Sequence, residues 1–245
     1  MTTIRLAYPE RRNAIGPQMV NELLYALEEA HADPNIHVIV LAGEGKAFCA
    51  GGDFAQMTSG TDDVQLAPKG DYADLLLAMA RTQKPIVAKV HGPAMGGGLG
   101  LVAASTLVVA SSDAELGTPE ILVGLFPMMI MAVLARLVPR RRLLEMMLLG
   151  EKLSAEEAKA IGLVNHVVPP DALDGAIETL CHKLAAKSPI ALRLGLRAFS
   201  AQDEQPLEEA LPMLRERLAE ILSTDDAREG LMAFLEKRAP KFTGR

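Results

Sequence analysis

Short apolar runs rich in β-branched residues alternate, over the first two thirds of the chain, with stretches whose apolar residues recur every three to four positions. The two periods predict strands and helices in turn. Strands are expected over residues 4–7, 38–42, 85–90, 107–110 and 114–116. Helices are expected over 17–32, where Val20, Leu23, Leu24 and Leu27 share a face, and over 72–81 and 97–104. The polar stretch 58–69, with Gly60 and Pro68, reads as a loop. From residue 143 the character changes, and 143–149, 154–161, 173–187, 189–201, 206–221 and 225–237 read as helices. Ser154 with Glu157 forms a capping box, Gly162 suits the following helix end, and Asp225 is the expected N-cap of the last helix. Repeated strand–turn–helix units make this an α/β chain, with a body over residues 1–190 and a helical segment over 191–245 suited to assembly.

Composition narrows the partners. A net charge of −6 and only 4% aromatic residues, with no Trp, argue against a nucleic-acid binder. The longest apolar runs, 96–110 and 125–135, fall short of a bilayer span, so no membrane association is expected and both read as buried core. Cys49 and Cys181 show no pairing or metal-ligand spacing, and no signal segment is read at the N-terminus. A cytoplasmic protein without a metal is the expectation.

Two glycine turns carry the candidate chemistry: Cys49-Ala50-Gly51-Gly52-Asp53 and Met95-Gly96-Gly97-Gly98, each following a strand-like run. Glycine lets backbone turn tightly and approach a ligand with its N–H outward. Two such turns suit an oxyanion hole, and helix N-termini reinforce the preference for negative charge. A proton carrier is also needed. Glu120, just after Pro119 and ahead of Ile121-Leu122-Val123, is flanked by apolar sequence that would desolvate it and raise its pKa. Taken alone, each turn also reads as a packing device and Glu120 as an ordinary helix-start residue. Other chemistries lack their motifs. The glycines match neither Gly-x-Gly-x-x-Gly nor a Walker loop, no Gly-x-Ser-x-Gly elbow occurs, and the five histidines do not cluster.

The combination of Lys46–Asp53, Lys84-Pro85 through Gly98, and Pro119–Gly124 resembles the crotonase (enoyl-CoA hydratase/isomerase) superfamily. The likeness runs on through 149–155, 158–164 and 225–238, and so spans nearly the whole chain in order. It implies a spiral of β-β-α units and an acyl-CoA thioester substrate, with coenzyme A part of the substrate and no separate cofactor. It also implies homotrimers or hexamers built with the C-terminal helices. Carried over by position, the backbone N–H groups of Gly52 and Gly97 would hold the thioester oxygen and Glu120 would move the proton. Ala50, Asp53, Gly96, Gly98, Gly100, Met128, Met129 and Arg12 would line the substrate, Asp53 equally serving as a brace. Arg11, Arg12, Lys46 and Lys241 are candidate partners for the coenzyme A phosphates.

The chain departs from that pattern. Hydratases of the family carry a second glutamate where this chain has Gly100, and a frequent lysine is replaced by Ala55. Met128-Met129-Ile130-Met131 follows Pro127 where a Gly-rich helix start is usual, and reads either as an adaptable pocket wall or as ordinary core. One carboxylate suits movement of a double bond from the Δ3 to the Δ2 position; two suit hydration, the alternative reading. A weakly catalytic acyl-CoA-binding protein is the reading from another class.

Overall fold

The computed structural model describes residues 1–53, 66–203 and 205–245. Its strands are β1 (Thr2–Leu6), β2 (Ile39–Gly43), β3 (Ile86–Val90), β4 (Ala94–Met95), β5 (Leu107–Ser111), β6 (Glu115–Gly117), β7 (Lys152–Ser154) and β8 (His166–Val168). Five of them form one sheet in the order β1-β2-β3-β5-β8, every neighbouring pair parallel. A second sheet, β4-β6-β7, pairs β4 with β6 in parallel and β6 with β7 antiparallel. The helices are α1 (Pro17–Ala32), α2 (Tyr72–Ala80), α3 (Gly97–Ala104), α4 (Met128–Leu134) and α5 (Arg140–Leu149). They continue with α6 (Ala155–Ala160), α7 (Leu173–Ala185), α8 (Pro189–Gln202), α9 (Leu207–Leu222) and α10 (Asp225–Leu235).

The strands are nearly continuous apolar runs because both faces of the five-stranded sheet are covered. Side chains alternate across a strand. Ile39, Leu41, Ile86, Ala88, Val90, Val108 and Ala110 face the larger core, shared with Leu23, Leu27, Leu75, Met79, Leu99 and Leu101. Val38, Val40, Val87 and Val109 face the other way, onto Leu173, Ile177 and Cys181 of α7. The sheet is thereby fixed in register, since a one-residue slip would exchange the two cores. The turns after β2 and β3 leave the same end of this sheet, the end where parallel sheets present their ligand sites.

Several expectations are corrected. Between the helices expected after residue 143 lie two strands the pattern did not signal, β7 and β8, each of three residues and too short to show a period. Helix α5 begins a turn early, at Arg140, because its first turn is Arg140-Arg141-Arg142 and carries no apolar signal. The run 125–135 is not uniformly core, since it contains α4 and leaves Leu125, Met128 and Met129 exposed. Thr224, not Asp225, caps α10, its hydroxyl accepting from the Ala227 N–H at 3.1 Å. The neighbouring Asp226 turns inward to accept from Ser188 Oγ at 2.7 Å and from the Thr243 N–H at 2.7 Å. The capping box of Ser154 and Glu157 is present as expected. The expected boundary at residue 190 falls in the first turn of α8. Most of the loop read at 58–69 lies outside the described residues, as does Ala55. Among the described residues no helix is long and apolar enough to cross a membrane.

Candidate active site

The two glycine turns are bound to each other by backbone. Cys49 N–H donates to Pro93 O at 3.1 Å and Met95 N–H to Cys49 O at 2.9 Å, a short parallel bridge between the chain after β2 and β4. On its other side the first turn is held by the segment before α1. Ala50 N–H donates to Arg12 O, Ile15 N–H to Gly51 O and Asp53 N–H to Ile15 O, at 2.9, 2.7 and 2.9 Å. These bonds use the amides of Ala50 and Asp53 but not that of Gly52, which among the described residues donates to no backbone carbonyl. Gly97 is the first residue of α3, so its N–H likewise has no intrahelical acceptor. Glycine is required at two points here. Gly51 has φ +104°, and a Cβ there would stand 3.1 Å from Met95 O and 3.7 Å from Gly97 N, so the turns touch. Gly96 has φ +50°, and a Cβ there would lie 2.8 Å from Glu120 Oε1.

Glu120 is therefore seated against the residue that precedes the Gly97 amide. Its backbone is fixed from three sides. Gly96 N–H donates to Gly117 O at 2.9 Å, Thr118 Oγ1 donates to Met146 O at 3.1 Å, and Leu125 N–H donates to Glu120 O at 3.0 Å. Oε2 is buried with no hydrogen-bond partner among the described residues. Burial pushes the Glu120 pKa above the ordinary carboxylate range, partly offset by its own backbone N–H. Of the apolar flank, Leu122 and Val123 are 69% and 66% exposed, while the second glycine turn stands directly against Oε1 through Gly96. A half-buried carboxylate, one of whose oxygens has no hydrogen-bond partner among the described residues, beside two amides without backbone acceptors is a proton acceptor next to a place where negative oxygen would be stabilised.

Asn13 escapes a reading based on glycines and carboxylates. It is fully buried, and its Nδ2 donates to Glu44 O and Ala47 O at 2.9 Å and to Phe48 O at 3.2 Å, while Oδ1 accepts from Tyr8 N–H at 2.9 Å. It and Arg12 both adopt positive φ, 57° and 52°, a conformation asparagine tolerates better than arginine. The side chain thus anchors the approach to the first turn. Asn13→Ala is expected to lower stability by about 2–3 kcal/mol, because several buried carbonyls lose their donor. Denaturant unfolding at neutral pH measures it, and a loss below about 0.5 kcal/mol would contradict the anchoring role.

The remaining candidates separate. Asp53 is buried and accepts from Arg11 Nη1 at 3.0 and 3.1 Å, a brace that engages Arg11 as well. Ala50, Arg12 and Lys46 are exposed around the first turn. Gly98 lies against Cys49, where a Cβ would meet Cys49 O at 2.4 Å. Lys241 sits in the C-terminal segment, its backbone N–H donating to Glu229. Met128 and Met129 are 65% and 50% exposed; the buried members of that helix are Ile130 and Leu134, and Ile130 Cγ2 stands 2.4 Å from where a Cβ on Gly100 would be. The Tyr72 hydroxyl is 2.3 Å from the same point, a neighbour the sequence pattern did not single out.

This geometry has relatives. The family model for Enoyl-CoA hydratase/isomerase matches residues 1–245. The enoyl-CoA hydratase EchA19 of Mycobacterium tuberculosis is 35% identical over 243 residues, covering 97% of this chain and 91% of its own. The (E)-benzylidenesuccinyl-CoA hydratase of Thauera aromatica is 33% identical over 243 residues, covering 98% and 94%. The crystal structure of an enoyl-CoA hydratase from Mycobacterium smegmatis superposes with a TM-score of 0.91 at 37% identity, covering 98% of this chain and 94% of that one. The matching folds share the spiral of β-β-α units and the C-terminal helices expected from the resemblance. With its whole length matched in sequence and in fold, the chain belongs to the enoyl-CoA hydratase/isomerase family of the crotonase superfamily and is an enzyme of that family.

Proposed function

We propose that this enzyme moves the double bond of an enoyl-CoA thioester, with Glu120 as the single proton carrier and the Gly52 and Gly97 amides holding the enolate oxygen. Glu120 takes a proton from C2 of a 3-enoyl thioester, and the C–H electrons pass through the carbonyl carbon onto the oxygen. The same carboxyl returns the proton at C4 as the electrons flow back, leaving the double bond between C2 and C3. The observation that carries this reading is the lack, among the described residues, of a second carboxylate beside Gly100. The space beside Gly100 is filled by the Tyr72 hydroxyl and Ile130, not by a second acid.

The second reading, hydration of a 2-enoyl-CoA, is favoured by relatives named as hydratases. Purified protein offered 3-enoyl-CoA and 2-enoyl-CoA separately decides between them. Double-bond migration in the first without water addition to the second is expected; robust hydration of the second would overturn the isomerase reading.

The pH profile is a further expectation. The base acts only when ionised, and Glu120's pKa is raised by burial, so kcat/KM falls on the acid side above the usual carboxylate range. An acid limb at the ordinary glutamate value would contradict the assignment. Linkage has the opposite sense. A raised folded pKa means stability from this group grows as pH falls through it and is complete below the unfolded value.

The same reading extends to assembly and setting. Leu207, Leu211 and Leu218 along α9 are 67%, 57% and 55% exposed in the single chain, and Phe234 of α10 is 82% exposed. Burial of these faces between copies in a closed trimer or hexamer is the proposal, since homo-oligomers close by rotation. Light scattering at micromolar concentration should return a multiple of 26.2 kDa; the monomer mass would contradict it. The two buried, unpaired thiols, Cys49 and Cys181, support a reducing, cytoplasmic setting.

A further inference from the structure

Tyr72 is the first residue of α2, and its position is set from two directions. Asp71 caps the helix, accepting from the Ala73 and Asp74 N–H groups at 2.8 and 3.1 Å, while Asp74 returns a bond to the Asp71 N–H at 2.9 Å. The chain just before the cap is tied to α1, where Asn21 Oδ1 accepts from the Lys69 and Gly70 N–H groups at 2.5 and 3.1 Å. So held, the phenol reaches α3, and its hydroxyl donates to Gly97 O at 2.5 Å. It can do so only because residue 100 has no side chain. A Cβ there would lie 2.3 Å from the hydroxyl oxygen.

The acceptor matters. Gly96-Gly97-Gly98 places three glycines, which lack side chains to limit the backbone, at a helix start where their amides have no intrahelical bonds. An oxyanion donor is effective only if it is oriented before the charge develops. We propose that Tyr72 is a positioning residue for the Gly97 amide: its hydroxyl, passing through the gap at Gly100, fixes the first turn of α3. The inference rests on the oxyanion role proposed above for Gly97. The hydroxyl remains a donor across the working range, because burial, together with the nearby Cys49 and Glu120, holds the phenol pKa well above normal.

Tyr72→Phe removes the hydroxyl and keeps the ring. Loss of one neutral hydrogen bond should lower kcat roughly five- to tenfold with KM unchanged, the split expected when only the transition state loses. A direct readout avoids turnover. Cinnamoyl-CoA carries a thioester conjugated to an aromatic ring, and donors on its carbonyl shift its near-ultraviolet band to the red. The protein has no Trp to obscure that region. Wild type should give the red shift, and Tyr72→Phe a smaller one at unchanged affinity. Gly100→Ala, which displaces the hydroxyl while leaving Tyr72 in place, should also reduce it, with thermal melting confirming that both variants fold. A full wild-type shift retained by Tyr72→Phe overturns the role of Tyr72 alone. Wild type that fails to bind cinnamoyl-CoA, or binds it without a shift, overturns the oxyanion reading and this inference with it.

Discussion

Glu120→Gln should abolish all but a trace of turnover, lowering kcat by about 10²- to 10⁴-fold, the range of a lost general acid–base. Affinity for an acyl-CoA should hold, because the amide keeps the shape of the carboxyl and the oxyanion amides are untouched. The physical ground is the seat of the carboxyl: Oε1 against Gly96, Oε2 buried with no partner among the described residues, and a pKa raised by burial. The stability of the two proteins should also diverge with pH in a defined direction. Wild type gains relative to Glu120→Gln as pH falls through the raised pKa, because only wild type takes up the proton there. Steady-state kinetics, equilibrium binding and thermal melting between pH 4 and 8 check the three parts. Turnover that survives the substitution at more than about a tenth of wild type would remove Glu120 from the reaction. Retained acyl-CoA binding with no turnover in either protein would instead favour a binding protein.

Gly98→Ala should be nearly as damaging without touching any reacting group. The added Cβ would meet Cys49 O at 2.4 Å, Cys49 Cβ at 2.7 Å and Cys49 Sγ at 2.9 Å, and Cys49 is both fully buried and bonded across to Pro93 and Met95. The two glycine turns must move apart. A misplacement of about 1 Å costs on the order of 10²-fold in rate, and loss of one oxyanion donor about 2.7–4 kcal/mol. A fall in kcat of roughly 10²- to 10³-fold is therefore expected, with stability reduced by about 1–3 kcal/mol from overpacking. Gly175→Ala on α7 is the control, since nothing lies within 4 Å of its added Cβ. Wild-type kinetics in a folded Gly98→Ala protein would mean that the approach of the two turns does not matter to the reaction.

What the chain discloses in advance follows from what it encodes locally. The strands of the main sheet and the helices that follow them are legible because two-sided burial demands apolar runs and one-sided burial demands a stripe. The glycine turns are legible because positive φ and close approach leave glycine little competition. Glu120 stands out for its apolar neighbours, but its seat against Gly96, on a turn distant in sequence, has no local signal. Tyr72 is silent in the sequence. Its significance depends on α2 packing beside α3 and on an absent side chain at Gly100, neither of which has a local signature. The seven residues of α4, Met-Met-Ile-Met-Ala-Val-Leu, are all apolar and give no period with which to separate faces. That is why Ile130 faces inward and Met128 and Met129 outward without warning. Asn13 is silent because three backbone carbonyls recruit it, and carbonyls carry no sequence.

The all-parallel pairing of the five-stranded sheet bears on how the enzyme comes into being. No two of its strands can be joined by a hairpin, so every pairing needs a crossover, and β1 meets β2 only after the whole of α1 has intervened. Non-local pairing of this kind is slow, because loop-closure entropy must be overcome before the contacts repay it. The groups of the candidate site are scattered further still: Asn13 lies between β1 and β2, Gly52 and Tyr72 between β2 and β3, Gly97 between β3 and β5, and Glu120 between β5 and β8. Refolding from denaturant should therefore show secondary structure returning well ahead of competence to polarise a thioester. During that lag unpaired strand edges are open to other chains, which makes dilute, chaperone-assisted refolding the condition for good recovery.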